Sequence, residues 1–294
     1  MKRLITIILT TALALSLSAC SKNPTKVNNE KIEVYTTIYP LYFMAREIGG
    51  NKVSVTNIIP AGVSVHDWEP STRDIANLTQ ADLVIYLGLG LDTWITKTKS
   101  EDSKASYCQA SKNVETIRED GAINPHVWLS PKNALIMANN VKDALINIAG
   151  NDDTYFEQNY ESLKQRLLDL DKQYSQTLSN VSKKTFVAYH KAFSYIARDY
   201  GLEEITVIGL DDEQEPSLAQ ISRVIQYCKS HDVKYIFTEP LVTPKTMQTI
   251  AEETGAQILT LNPLDGLTEE DIKSGNDYIT IMQENLKNLQ KALE

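Results

Sequence analysis

The chain has 294 residues, 42% of them hydrophobic and 23% charged, so it carries apolar material for a sizeable core. Its formal net charge is −9 and no stripe rich in lysine and arginine appears, which argues against nucleic acid as a partner. The length exceeds what one ordinary core holds and favours two domains.

Residues 1–19 read as a secretory signal. Lys2 and Arg3 make a basic start, an apolar stretch of roughly 14 residues follows, and a helix needs about 20 to cross hydrocarbon. Ser18 and Ala19 then precede Cys20, and this L-S-A-C ending resembles a bacterial lipobox, in which the cysteine is lipidated and begins the mature chain. An ordinary cleaved signal with Cys20 incidental is the alternative. Loss of Lys2 and Arg3 moves the formal charge to −11. Residues 20–30 have the polar composition of a flexible tether, so the expected location is lipid-anchored at the cell membrane, facing the extracellular or periplasmic side.

The folded part opens with a β-branched and aromatic strand over 32–37, followed by a helix over 41–48 closed by Gly49 and Gly50. A strand over 53–59, a helix over 72–79 and a strand over 81–88 continue the pattern. This rhythm predicts a parallel sheet with ligand sites at the carboxyl ends of its strands. Phe156, Tyr160, Leu163, Leu167, Leu170, Tyr174 and Leu178 then recur at three- and four-residue steps without Pro or Gly. They predict one helix over 154–181, about 28 residues and roughly 40 Å long. A coiled coil would need heptads sustained over a longer stretch. Beyond it the rhythm restarts, with strands at 184–188, 204–208, 235–238 and 257–261 and helices at 192–200, 217–230, 244–254 and 277–293. The expected fold is α/β: two lobes with parallel-type sheets, residues 31–153 and 183–294, joined by one bridging helix, 154–182, with the site in the cleft between them.

Only four histidines occur. His66, His126 and His190 each sit in a loop or at a strand end beside proline or aromatic residues, where a side chain can face a cleft. One histidine in such a place is more often a core or capping residue. Three of them on an exported chain point to metal, because neutral imidazole is the commonest protein ligand for zinc and similar ions. His231, at the end of a helix in K-S-H-D-V-K, reads as solvated. Cys108 and Cys228 have no framework around them; an oxidising compartment would let them pair, and independent thiols are the plainer reading.

The segments H-D-W-E-P-S, N-P-H-V-W-L-S-P and Y-H-K-A-F-S-Y-I-A-R-D-Y-G-L resemble the three histidine motifs of the zinc and manganese substrate-binding proteins of bacterial ABC transporters. E-P-S at 215–217, F-T-E-P at 237–240 and N-P-L-D-G-L through Met282 and Asn285 match in the same order, so the likeness covers nearly the whole mature chain. It implies His66, His126 and His190 as metal ligands, completed by a carboxylate from the second lobe. Asn262 stands where many relatives have aspartate, and a neutral amide is a poor zinc ligand. Asp265 stands where other relatives place glutamate, so the resemblance makes it the expected fourth ligand, with Glu239 in reserve or orienting an imidazole N–H. Asp211 and Asp212 read as a solvated turn. Asn124 and Ser130 replace the aspartates usual around the second histidine, and residues 97–122 lack the histidine-rich loop of many zinc-binding relatives.

Three imidazoles and one carboxylate suit tetrahedral Zn²⁺, whereas manganese sites draw on more oxygen ligands. Manganese-preferring relatives commonly have Glu where this chain has His190. The resemblance thus implies a lipid-anchored receptor, held through Cys20, that delivers Zn²⁺ as cargo to an ABC permease and ATPase; a monomer suits a carrier that must dock and leave. A manganese receptor of the same class and an adhesin-like surface lipoprotein are the alternatives. A zinc hydrolase would need an open coordination position and a nearby base; no H-E-x-x-H pair occurs, and no catalytic residue is assigned.

Overall fold

A computed structural model describes residues 31–66, 68–100, 102–119, 121–150, 152–210, 215–240 and 245–294. The expected signal, Cys20 and the tether, with Asp211 and Asp212, lie outside the described residues.

The first sheet is built from β1 (Ile32–Thr36), β2 (Val53–Asn57), β3 (Leu83–Tyr86) and β4 (Ser106–Gln109), in the order β2-β1-β3-β4 and parallel throughout. Val34 is paired with Val55 on one side and Leu83 on the other. Val34, Val84 and Ile85 are fully enclosed, as befits a parallel sheet covered on both faces. Helix α1 (Tyr39–Gly49) starts with Pro40 in its first turn, two residues earlier than the expected helix, because proline needs no N–H partner there. It ends at Gly50, whose φ of +53° suits glycine, and a Cβ here would meet the Tyr155 hydroxyl. Helix α2 (Thr72–Gln80) begins with a capping box, Ser71 and Asp74 each accepting from the other's backbone N–H.

Two strands are shorter than expected for identifiable reasons. After β2 the Asn57 amide donates to the Ile59 carbonyl at 2.8 Å and turns the chain toward the His66 loop. After β3 the buried Asp92 carboxylate accepts from the Thr37 hydroxyl and from the N–H groups of Leu87 and Gly88, each at 2.7 Å, so the two N–H groups leave the sheet ladder.

Among the elements beyond the sequence expectation are β4 itself and helix α3 (Pro131–Ala149). The signals for α3 are present in Ser130 as N-cap, Pro131 in the first turn, Gly150 at the end and Ala134, Met137, Ala138, Val141 and Leu145 buried along one face. The Asn139-Asn140 pair weakens its helical character locally. Asn140 has a tertiary task, since its amide donates to the Ala110 and Lys112 carbonyls at 2.8 Å and ties α3 to the chain leaving β4. A short antiparallel pair, β5 (Arg118–Glu119) and β6 (Ala122–Ile123), leads into His126.

The bridging helix α4 (Asp153–Ser179) has 27 residues, and the seven apolar positions of the periodic pattern are its buried ones. It packs against α1 and α3 and also against α9 (Tyr278–Leu293) at the end of the chain. Arg166 on α4 joins the two ends, bonding to Glu47 of α1 and to Asp277 at 3.0 Å.

In the second lobe β7 (Thr185–Ala188) pairs in parallel with β8 (Glu203–Thr206), and β9 (Tyr235–Thr238) with β10 (Gln257–Thr260), with β7 packed beside β9. Helices α5 (Ser194–Tyr200), α6 (Leu218–Ser230), α7 (Lys245–Thr254), α8 (Glu269–Ser274) and α9 complete it. Val187, Val224, Ile236, Met247 and Ile250 form a core of their own, while the larger cluster runs continuously from the first sheet through α4 to α9. Lys31–Glu294 therefore folds as one compact unit in which two lobes share a helix.

Candidate metal centre

His66 lies between β2 and α2, His126 just after β6, His190 two residues beyond β7, and Asp265 in the loop after β10. The folding of the chain brings one ligand atom from each of these four within 4.8 Å of the others. His126, His190 and Asp265 are buried and His66 is half-buried.

Each position is held by its own local chemistry. Around His126 the Trp128 indole donates to the Pro263 carbonyl at 2.7 Å, and the Tyr278 hydroxyl donates to the Trp128 carbonyl, so the first-lobe loop is fastened to the second lobe. Tyr195 adds a hydroxyl bond to the Asn124 carbonyl at 2.7 Å. In the Asp265 loop the Asn262 carbonyl oxygen of the side chain accepts from Leu264 N–H at 2.8 Å and supports Leu264 at φ +61°, a left-handed conformation that ordinary residues rarely adopt. Asn285 holds Asn262 in turn through two bonds, at 2.8 and 2.7 Å. Asn262 thus shapes the loop, its side-chain oxygen engaged by the Leu264 N–H. The Gly62 N–H donates to the Leu267 carbonyl at 3.1 Å, which joins the His66 loop to the Asp265 loop.

The tautomers follow from the partners. The His126 backbone N–H donates to Asn124 Oδ1 at 3.0 Å, which identifies that atom as the amide oxygen; His126 Nδ1, at 2.9 Å from the same oxygen, must donate as well. His190 Nδ1 lies 2.6 Å from Glu239 Oε1 and also donates. Both rings therefore turn Nε2 toward the site, and in His126, kept neutral by its burial, that nitrogen carries a lone pair. His126 Nε2 is 3.2 Å from His190 Nε2 and 3.2 Å from His66 Nε2. Burial, followed by the neighbouring His190 and His66, pushes the His126 pKa well below its ordinary value, so that ring is neutral at pH 7.

Glu239 is buried and stands behind His190 as an orienting carboxylate, outside the four-residue set. Of the two departures near His126, Asn124 supplies the acceptor for Nδ1, whereas Ser130 bonds to Asp199 and caps α3. His231 is exposed at the end of α6 and stacks on Tyr227. Cys108 and Cys228 are both free thiols. The sequence expectation did not single out Tyr195, Glu119, Ser194 or Glu204, which surround the His126 and His190 loops; contacts across 75 residues leave no periodic trace.

Fold and site together define a two-lobed α/β binding protein with three imidazoles and a carboxylate gathered in its cleft. A family model described as "ZnuA: Zinc-uptake complex component A periplasmic" matches residues 34–292, and the chain belongs to that family. It is 34% identical over 303 residues to the high-affinity zinc uptake system protein ZnuA of Bacillus subtilis, covering 96% of this chain and 95% of that protein. It is also 34% identical to the zinc-binding protein AdcA of Streptococcus pyogenes, with 88% of this chain covered, but it spans only 56% of that longer relative. Among solved structures, the Zn(II)-bound ZnuA-like domain of Streptococcus pneumoniae AdcA superposes with a TM-score of 0.82 at 33% identity, covering 90% of this chain and 99% of that one.

Proposed function

We propose that the chain is a high-affinity extracytoplasmic receptor that binds Zn²⁺ through His66, His126, His190 and Asp265 and delivers it to an ABC permease and its ATPase. The observation that carries this reading is the spacing of the imidazoles. A tetrahedral zinc with Zn–N bonds of about 2.0–2.1 Å places neighbouring nitrogens roughly 3.3 Å apart. His126 Nε2 is 3.2 Å from the Nε2 atoms of both His66 and His190, and its lone pair faces them, an arrangement that a cation between the rings stabilises. Similarity to zinc-uptake and zinc-binding relatives supports the same cargo.

Binding rather than catalysis follows from the ligand count, since four protein groups fill a tetrahedral shell and leave no position for an activated water. Cys20 is the proposed lipid anchor, in line with a relative described as a zinc-binding lipoprotein. Residues 1–19 are then the signal and 20–30 the tether. Residues 31–153 and 183–294 are the lobes and 154–182 the bridging helix, with one copy sufficient for the site.

The test is metal content by mass spectrometry of the full chain beside His126→Ala and Asp265→Ala, each exposed to equal zinc and manganese. About one zinc per chain, sharply reduced in both variants, is the expected outcome. Manganese in its place overturns the cargo. Zinc retained in Asp265→Ala alone moves the fourth ligand to Glu239, and no metal at all removes the reading.

A further inference from the structure

The amide of Asn124 is held at both ends, and its far end leads to carboxylates that the metal site does not use. Its NH₂ donates to Glu119 Oε2 at 2.8 Å and to the Lys191 carbonyl at 3.0 Å. Glu119 also receives Lys191 Nζ at 3.3 Å and stands 3.1 Å from the Ser194 hydroxyl. Ser194 in turn lies 2.6 Å from Glu204 Oε2, while Glu204 Oε1 accepts the Phe193 N–H at 2.9 Å.

Counting protons orders this chain. A serine hydroxyl has one hydrogen to donate and stands here between two carboxylates. If Ser194 donates to Glu119, the short contact to Glu204 needs a proton on Glu204. Burial favours that assignment by raising the Glu204 pKa to about 7. When Glu204 carries its proton the bonds run in one direction: Glu204 donates to Ser194, Ser194 to Glu119, and Glu119 accepts from Asn124, whose oxygen is left to face His126.

We infer that Glu119 is a positioning residue for the metal site: paired with Asn124, it fixes a neutral acceptor behind His126 and so holds that ring with Nδ1 protonated and Nε2 turned toward the cation. The assignment of Nε2 as a zinc ligand rests on the proposed function; the pairing and the tautomer do not. The physical content lies in the charges. An aspartate at position 124 would set a second carboxylate against Glu119 at hydrogen-bond distance, and it would have no proton to offer Glu119 or the Lys191 carbonyl. This chain combines the amide at position 124 with the acid at position 119.

The experiment is a charge-swap cycle on the full chain: Asn124→Asp, Glu119→Gln and the double variant, with zinc affinity measured by competition against a chelator. Loss of a partner behind a metal-ligating histidine typically lowers affinity about 10–100-fold. Asn124→Asp alone is expected to fall in that range. Glu119→Gln is expected to fall less, because its side-chain carbonyl still accepts from the Asn124 amide. The double variant is expected to recover to within about threefold of the wild type, since the introduced glutamine amide would donate to the introduced aspartate and reverse the bond. Equal losses in Asn124→Asp and in the double variant would overturn the pairing.

A second readout needs no zinc. With only four histidines in the chain, long-range ¹H–¹⁵N spectra of the zinc-free wild type resolve each ring. The pattern of an Nδ1-protonated ring at His126 is expected, and the Nε2-protonated pattern would overturn the inference. If the wild type binds no zinc, the proposed function fails while these spectra still decide the tautomer.

Discussion

The two buried imidazoles are supported in different ways. His190 leans directly on a carboxylate, with Nδ1 2.6 Å from Glu239. His126 leans on an amide oxygen at 2.9 Å, and a carboxylate enters only behind that amide. An anionic partner raises the basicity of a ligand nitrogen; a neutral one fixes its orientation with less electronic push. One cleft therefore contains a strong and a moderate nitrogen donor built from the same residue type. The difference was set by what each lobe could place behind the ring: a strand-end glutamate in the second lobe, a loop asparagine in the first.

The largest test of that contrast is Glu239→Gln, which would give His190 a neutral partner like that of His126. Zinc affinity should fall about 10–100-fold, read by chelator competition, with the zinc-free fold retained. A loss no greater than threefold would mean that the carboxylate behind His190 is no better than an amide. The contrast would then be geometric only.

A second test moves to the carboxylates behind Asn124. The folded-state pKa of Glu204 is raised from 4.5 to about 7, chiefly by burial. The folded protein thus holds this proton more tightly than the unfolded chain. The resulting stability is fully present below pH 4.5 and is lost as pH rises through about 7. Glu204→Gln keeps a neutral hydrogen-bonding side chain and should abolish that window. Relative to the wild type, the variant should gain on the order of 2 kcal/mol between pH 5 and pH 8, followed by urea unfolding of the zinc-free protein. Parallel stability curves across this range would show that Glu204 is ionised in the fold and would undo the proton order drawn through Ser194.

Much of this was legible in the sequence, for local physical reasons. The bridging helix could be read because seven apolar residues repeat at helical spacing, and the parallel strands because β-branched runs alternate with capped helices. His66, His126 and His190 stood out through rarity and rigid surroundings. Asp265 came from the resemblance and not from spacing, since a carboxylate in a loop has no periodic mark. Helix α3 was missed although Ser130, Pro131 and Gly150 frame it, and β4 is a four-residue edge strand with only one partner. The Glu119–Ser194–Glu204 cluster was invisible because Glu119 reaches Ser194 only by a tertiary contact between the lobes and Ser194 meets Glu204 across a helix-to-strand loop.

The smallest effect comes from the other departure beside His126. Asn124 and Ser130 flank the same ring in sequence, two residues before it and four after, yet only Asn124 touches it. Ser130 turns away: its oxygen accepts from Asn133 N–H at 3.2 Å and its hydroxyl donates to Asp199. Asp199 keeps Arg198 on its other oxygen, Oδ1, at 2.8 Å, so removing the hydroxyl releases Oδ2 but leaves the carboxylate's charge paired. Ser130→Ala should therefore cost about 1 kcal/mol, the usual value of a lost N-cap, in urea unfolding of the zinc-free protein. Zinc affinity should stay within about twofold, because the Asn124 bonds that orient His126 are untouched. A tenfold drop in affinity would show that the start of α3 transmits strain to the ring. His126 would then owe its orientation to the helix as much as to the amide behind it.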